Sequence, residues 1–226
     1  FLMTAGSKKD IALGAIADAL CENCEEILAA NKIDLENGEK SGLTASLLDR
    51  LRLSEERING MADGVRQDAA LPDPVGRVLD GRTLKNGLQI EKVTVPMGVI
   101  GIIFEARPNV TSDAAALCLK AGSAVILRGG KEAFHSNMAI ARVMRDALEK
   151  AGFPRDCVAL VEDTTRQSAT ELMQLSDYLD VLIPRGGAGL IQAVVKNATV
   201  PVIETGAGNC HIYVDAAADL QMAIDI

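Results

Sequence analysis

No apolar run in this sequence approaches the roughly 20 residues that a membrane-crossing helix needs. The opening stretch FLMTAGSKKD has too short an apolar part for a secretory signal, so a cytoplasmic location is expected. Basic residues are in short supply: 23 Lys and Arg stand against 31 Asp and Glu, a formal net charge of −8. A non-specific nucleic-acid or anionic-membrane binder needs a basic face, and this balance argues against both. Five cysteines, an odd number, do not form a disulfide framework. Cys21 and Cys24 make a C-x-x-C inside a helical pattern with no second ligand pair, and Cys118 and Cys157 lie among apolar neighbours. His135 and His211 stand apart with no carboxylate or cysteine pattern around them, so no metal site is expected. Neither G-x-G-x-x-G nor G-x-x-x-x-G-K-[ST] occurs, which removes the usual dinucleotide fingerprint and the P-loop.

Apolar material is plentiful, at 48% of 226 residues, enough for one large domain or two small ones with a real core. Residues 7–70 carry a helical pattern, with Leu13, Ile16, Ala17, Leu20, Cys24, Ile27 and Leu28 on one stripe. Two further helical segments, SGLTASLLDRL and LSEERINGMADGVRQ, follow, the second opening at Ser54 with Glu55 and Glu56 in its first turn, as an N-cap prefers. Residues 76–96 change character: Asn86-Gly87 between alternating stretches predicts a hairpin arm with a type I′ turn.

Over 97–226, short apolar runs alternate with helical patterns: VIGIIFEA, SDAAALCLKAG, SAVILRGG, SNMAIARVMRDALEKAG, CVALVED and onward to VPVIETGAGN. The runs are apolar throughout, as parallel strands covered on both faces should be. The expected fold is therefore α/β, a doubly wound Rossmann-like sheet, with ligands beyond the carboxyl ends of the strands. Those ends hold the unusual residues: FEARPN, LRGGK, VEDTT, IPRGGAG and IETGAGN. Each has a plain reading beside a functional one. RGG, at 128–130 and again at 185–187, is either turn chemistry or a phosphate cradle with flanking charge. Asn109 is either a helix cap or an oxyanion donor. Glu204 closes an otherwise apolar strand, where a buried carboxylate needs a partner or a task.

The segments PMGVIGIIFEARPNVTSDAAALCLKAGSAVILRGGKEAFHSN, VEDTTR, DVLIPRGGAGLI and NATVPVIETGAGNCHIYVD resemble, in that order and spacing, the γ-glutamyl phosphate reductase family of the aldehyde dehydrogenase superfamily. ETGAGN and LRGGKE stand where the wider superfamily has E-L-G-G and K-P-x-E segments, which favours the reductase over oxidising relatives. The resemblance implies NADPH-dependent reduction of L-glutamyl 5-phosphate to glutamate 5-semialdehyde in proline biosynthesis, through attack of a cysteine thiolate and a thioester. It also implies that the nucleophile lies in a Pro-Ser-x-Cys-Asn segment that is not among these residues. The chain then reads as a cofactor-binding portion without the catalytic domain, and none of its five cysteines fills that role.

By the same resemblance Asn109 is the oxyanion-stabilising asparagine. Arg128, Gly129, Gly130 and Lys131 match the adenosine-ribose segment, Glu162, Asp163 and Thr164 the adenine side, and Arg185, Gly186 and Gly187 the pyrophosphate and nicotinamide turn. Glu204 matches a water-activating glutamate of hydrolytic relatives, and a nicotinamide-side or structural role is expected here. Arg107 has no general counterpart; its charge suits the substrate's carboxylate or phosphate. Arg128 is the expected main contact of the NADP(H) 2′-phosphate, with Lys131 adding a point charge. A small-molecule substrate and a homo-oligomer are expected. The competing readings are another acyl-phosphate or acyl-CoA reductase, and a non-catalytic nucleotide-binding or oligomerisation module.

Overall fold

The computed structural model describes residues 6–204, 206, 208 and 210–225. Four helices come first: α1 (Gly6–Glu22), α2 (Cys24–Lys40), α3 (Ala45–Leu51) and α4 (Glu55–Ala70). Between α1 and α2 the chain bends at Asn23, whose side-chain amide donates to the Ala19 carbonyl at 2.8 Å. Ser54 caps α4 by accepting from Arg57 N–H at 3.2 Å, as its sequence position predicts. Thr44 does the same for α3, accepting from Leu47 N–H at 3.4 Å.

The expected hairpin is formed by β1 (Val78–Thr83) and β2 (Gln89–Val93), antiparallel and exposed along both strands. Its turn is not the expected type I′, which needs positive φ at both central residues. Among the described residues only glycines have positive φ, Gly87 at 88° being the one in this turn. Leu84 C=O accepts from Gly87 N–H at 2.9 Å, and Leu84 N–H donates to Leu88 C=O at 2.8 Å. This is a type I turn over 84–87 followed by a left-handed glycine bulge. Asn86 contributes its side chain, accepting from Leu88 N–H at 3.1 Å.

The main sheet has four parallel strands, β3 (Val99–Phe104), β4 (Ala124–Arg128), β5 (Val158–Leu160) and β6 (Val181–Arg185), in the order β5-β4-β3-β6. Helices α5 (Asn109–Lys120), α6 (Phe134–Lys150) and α7 (Arg166–Met173) connect them, and α8 (Ala188–Asn197) follows β6. Beyond β6 the expected strand in VPVIETGAGN is present only as a parallel bridge between Leu182 and Val202. A short helix, α9 (Leu220–Asp225), ends the described chain. Alternation along β3 splits the interior: Ile100, Ile102 and Phe104 join the core under α5, α6 and the N-terminal helices, whereas Ile103 joins Leu172, Leu182 and Val194 under α7 and α8. That is a doubly wound sheet, as the uniformly apolar strands predict. The chain winds outward through β4 and β5 and returns to the other side of β3. The resulting topological switch point lies between β3 and β6, where such sheets bind ligands.

Buried polar groups tie the N-terminal helices to this sheet. The Lys9 ammonium, 1% exposed, donates to Asp73 at 2.7 Å and to the Lys120 carbonyl at the end of α5 at 3.0 Å. The Lys120 ammonium in turn reaches the Ala69 carbonyl near the end of α4 at 2.7 Å and Asp10 at 2.5 Å. Each cation thus sits at a helix C-terminus, where the unpaired carbonyls favour positive charge. At the other end, Asp34 of α2, 2% exposed, accepts from the His135 and Ser136 backbone N–H groups at 3.1 and 2.7 Å and from Ser136 Oγ at 2.6 Å. Residues 135 and 136 are in the first turn of α6, so Asp34 caps that helix from a distant part of the chain. Among the described residues no helix is long and apolar enough to cross a membrane.

Candidate functional site

The chain leaves β3 through Glu105, Ala106, Arg107 and Pro108, with a tight step in which Arg107 N–H donates to the Glu105 carbonyl at 2.6 Å. Pro108 fixes φ at −57° and α5 begins at Asn109. Opposite, β6 ends at Arg185 and turns through Gly186 and Gly187 into α8. Glu105 joins the two strand ends: its Oε2 accepts from Gly187 N–H at 2.9 Å. A Cβ on Gly186 would come within 2.7 Å of that carboxylate, so the approach depends on the missing side chain.

A cavity of about 580 Å³ opens at this switch point, walled by Glu105, Arg107, Glu132, Arg185, Gly186 and Gly187, with Leu43, Leu47 and Arg50 from the α3 region across it. A second, of about 410 Å³, is walled by Asp49, Arg50, Arg52, Arg57, Arg107, Asn109 and Asp113 among others. Arg50 and Arg107 belong to both walls. Asn109 Nδ2 donates to Asp113 Oδ2 at 2.9 Å, one helical turn on, which leaves its second N–H available. Burial pushes the Asp113 carboxyl above the ordinary range, against the hydrogen bonds from Asn109 and Ser112 and the charge of Arg185. Arg57 is committed to Asp49, donating to its carboxylate at 2.9 Å. Among the described residues the guanidinium groups of Arg50, Arg52 and Arg107 make no hydrogen bond or ion pair.

The LRGGK turn lies beside the first cavity. A Cβ on Gly129 would fall 2.2 Å from Asn137 Nδ2 and 3.0 Å from the Phe104 ring, and Gly130 backs onto the Ala106 backbone. Asn137 is itself buried and accepts from Thr111 Oγ1 at 3.0 Å, so it has no free direction to move. Gly129→Ala is therefore expected to destabilise the protein by about 1–3 kcal/mol through overpacking, read as a lower urea midpoint at unchanged m. Arg128, the expected 2′-phosphate contact, has its Nη2 donating to the carbonyls of Thr164 and Thr165, each at 2.7 Å. It fastens β4 to the loop after β5. That loop closes on itself, with Asp163 accepting from Thr165 N–H at 2.7 Å, which with the Thr165 side chain holds its carboxyl below the usual range. Lys131 is exposed and without a side-chain partner among the described residues.

Other expectations resolve unevenly. The structure brings Arg107, Arg185, Gly186 and Gly187 around one cavity and adds Asn109 through the second; Lys131, Glu162, Asp163, Thr164 and Glu204 line neither. Glu204 is exposed, which corrects the reading of a buried carboxylate, because the strand that would bury it reaches no further than the bridge at Val202. Thr205, Ala207 and Asn209 of the glycine turn lie outside the described residues. Cys118 and Cys157 are buried as expected, burial pushing the Cys118 thiol up to about 12 and raising Cys157 too, which suits core packing and not a thiolate. Cys210 is exposed. Among the described residues no group of three or more His, Cys, Asp or Glu could hold a metal ion.

Comparison with known proteins bears on this geometry directly. The aldehyde dehydrogenase family profile matches residues 4–226. The chain belongs to the aldehyde dehydrogenase family. Within that family it is 60% identical over 218 residues to the γ-glutamyl phosphate reductase of Clostridium novyi (strain NT), covering 96% of this chain and 52% of that protein. It is 63% identical over 217 residues to the enzyme of the same name from Moorella thermoacetica, with the same coverage of 96% and 52%. The crystal structure of γ-glutamyl phosphate reductase from Thermotoga maritima superposes with a TM-score of 0.91 at 46% identity, over 99% of this chain and 54% of that one. The resemblance read from the motifs is thereby shown, and the chain spans about half the length of these relatives.

Three site residues escaped the sequence reading. Glu105 sits in the motif that drew attention to Arg107 and Asn109, and a carboxylate directly after an apolar strand is a signal that was there to find. Asp113, four residues after Asn109 on a helix, is legible as its neighbour on one face. Arg50 carries no such signal; only tertiary packing brings α3 to the switch point.

Proposed function

We propose that this chain supplies the cofactor-binding part, and one wall of the substrate site, of an NADPH-dependent reductase that converts L-glutamyl 5-phosphate to L-glutamate 5-semialdehyde and phosphate in proline biosynthesis. The observation that carries it is the pair of cavities at the switch point with Asn109 and the unpaired Arg107 on a shared wall. The names of the relatives support the same reading.

The residues fit a phosphate-bearing dinucleotide. Gly186 and Gly187 line the first cavity at the start of α8, where a bare helix N-terminus favours an anion, with the Gly187 N–H itself held by Glu105. Lys131, exposed and unpartnered among the described residues, holds the 2′-phosphate, while Arg128, fixed on the Thr164 and Thr165 carbonyls, stiffens the turn. Glu162, Asp163 and Thr164 form the adenine side, and Arg185, Gly186 and Gly187 the pyrophosphate side. Glu204 keeps a structural or nicotinamide-side role. A bound nicotinamide cofactor supplies the reducing equivalents. For the acyl group, Asn109 directs its second Nδ2–H at the substrate carbonyl oxygen and stabilises the charge that develops there. Arg107 pairs with the phosphoryl group that leaves. The thiolate that attacks the acyl carbon belongs to a cysteine outside these residues. The exposed hairpin, with Val78, Leu79, Ile90 and Val93 in the open, joins a second copy of the chain, and the enzyme works in the cytoplasm.

The cofactor assignment is tested by substitution in the complete protein. Lys131→Ser is expected to weaken NADPH binding about 10- to 100-fold and NADH hardly at all, the scale of a lost charge-assisted hydrogen bond. Arg128→Ser is expected to weaken both cofactors alike. Equal losses for the two cofactors in Lys131→Ser would remove that residue from the 2′-phosphate site.

A further inference from the structure

We propose that the smaller cavity recognises an α-amino acid end group, with Asp113 receiving the α-ammonium and Arg50 the α-carboxylate of the substrate. The inference rests on the functional reading above and names how that site would select an amino acid over a plain acyl phosphate.

Both signs of charge line this cavity, and part of it cancels internally: Arg57 and Asp49 pair at 2.9 Å. Three guanidinium groups, on Arg50, Arg52 and Arg107, are left without an anion, and Asp113 is left without an ion-pair partner, among the described residues. Asp113 is half-buried, and its partners are the neutral Asn109 amide at 2.9 Å and the Ser112 hydroxyl at 3.3 Å. A half-buried carboxylate beside an oxyanion donor opposes the very charge that Asn109 is placed to stabilise; the charge of Arg185 acts on Asp113 without forming an ion pair, and a substrate cation in direct contact would offset the rest. Burial already pushes its proton affinity up, which marks the cost.

A γ-glutamyl (4-amino-4-carboxybutanoyl) group carries that cation. Four bonds separate its reacting carbon from the ammonium nitrogen, roughly 5 Å when extended, so a carbonyl oxygen on Asn109 leaves the ammonium within reach of Asp113, which contacts the same amide. The arginines divide by position. Arg107 is two residues from Asn109, next to the reacting end. Arg50 lines the same cavity from a separate element, α3, and is assigned the carboxylate.

The test uses the complete protein in the oxidising direction, with NADP⁺ and inorganic phosphate, and compares glutamate 5-semialdehyde, 5-oxopentanoate (no ammonium) and butanal (neither charge). Asp113→Asn keeps an acceptor for the Asn109 amide. It is expected to lower the kcat/KM ratio of semialdehyde over 5-oxopentanoate about 10- to 100-fold, the scale of one lost charge-assisted hydrogen bond. Arg50→Met, an exposed substitution that does not threaten folding, is expected to lower the ratio of 5-oxopentanoate over butanal by a similar factor. NADPH affinity, measured by fluorescence, is expected to hold in both. An unchanged ratio in either variant overturns that residue's assignment; equal loss on all three aldehydes in Asp113→Asn makes it a positioning residue for Asn109 instead. Wild-type protein that handles the semialdehyde and 5-oxopentanoate equally overturns the inference and leaves the functional reading standing, whereas no turnover of the semialdehyde overturns both.

Discussion

In the complete protein, Asn109→Ala is expected to lower kcat by about 10²–10³-fold while leaving cofactor affinity nearly unchanged. The residue starts α5 directly behind the step out of β3 and lines the second cavity, with one N–H held by Asp113 at 2.9 Å and the other available. Such a donor is preorganised: it need not reorient as charge builds on the carbonyl oxygen, which is why its loss falls on kcat and not on binding. Among the described residues the Asn109 side chain makes no hydrogen bond to the proposed cofactor turn, whose Arg128 donates to Thr164 and Thr165. Steady-state kinetics alongside NADPH titration decide the matter. A kcat within a few-fold of wild type would return Asn109 to the plain role of opening a helix.

The largest effect on stability is expected at Asp34. Asp34→Ala strips acceptors from the His135 and Ser136 N–H groups and from Ser136 Oγ, and Ser136 is fully buried, so water cannot replace what is lost. Each unsatisfied buried donor costs about 1–3 kcal/mol, so a total of about 3–5 kcal/mol is expected, a fall in Tm of roughly 10 °C for a chain of this size. Asp34→Asn keeps one acceptor and should lose less. The first turn of α6 that Asp34 caps closely follows the Gly129–Lys131 turn proposed to hold cofactor, so the loss is expected to reach that turn as well. Calorimetry on both variants checks the order; equal Tm for Asp34→Ala and wild type would show that the trans cap carries no weight.

These two sites also show what the sequence could and could not disclose. The strands were legible because burial on both faces demands unbroken apolar runs, and the Ser54 cap because its partner lies three residues away. The hairpin was legible but its turn was not: Asn-Gly serves a type I′ turn and a type I turn with a glycine bulge equally well, and backbone closure by Leu84 and Leu88 chooses between them. The contact of Arg128 with the Thr164 and Thr165 carbonyls could not be read, because a cation after a strand looks free until the neighbouring strand's loop brings those carbonyls to it. Asp34 and Lys9 were invisible for a related reason: their partners lie about a hundred residues away in sequence, at Ser136 and Lys120, and no local pattern marks such a pairing. Arg107 and Asn109 stood out because proline and a strand end frame them. Arg50, on a separate element, is chosen by packing alone.

Whether the site handles an acyl phosphate is read most directly from the phosphate requirement of the complete protein oxidising glutamate 5-semialdehyde with NADP⁺. NADPH formation is expected to saturate with inorganic phosphate and not to be supported by coenzyme A in its place. NADPH formation at an undiminished rate without phosphate, or support by coenzyme A alone, would contradict that expectation.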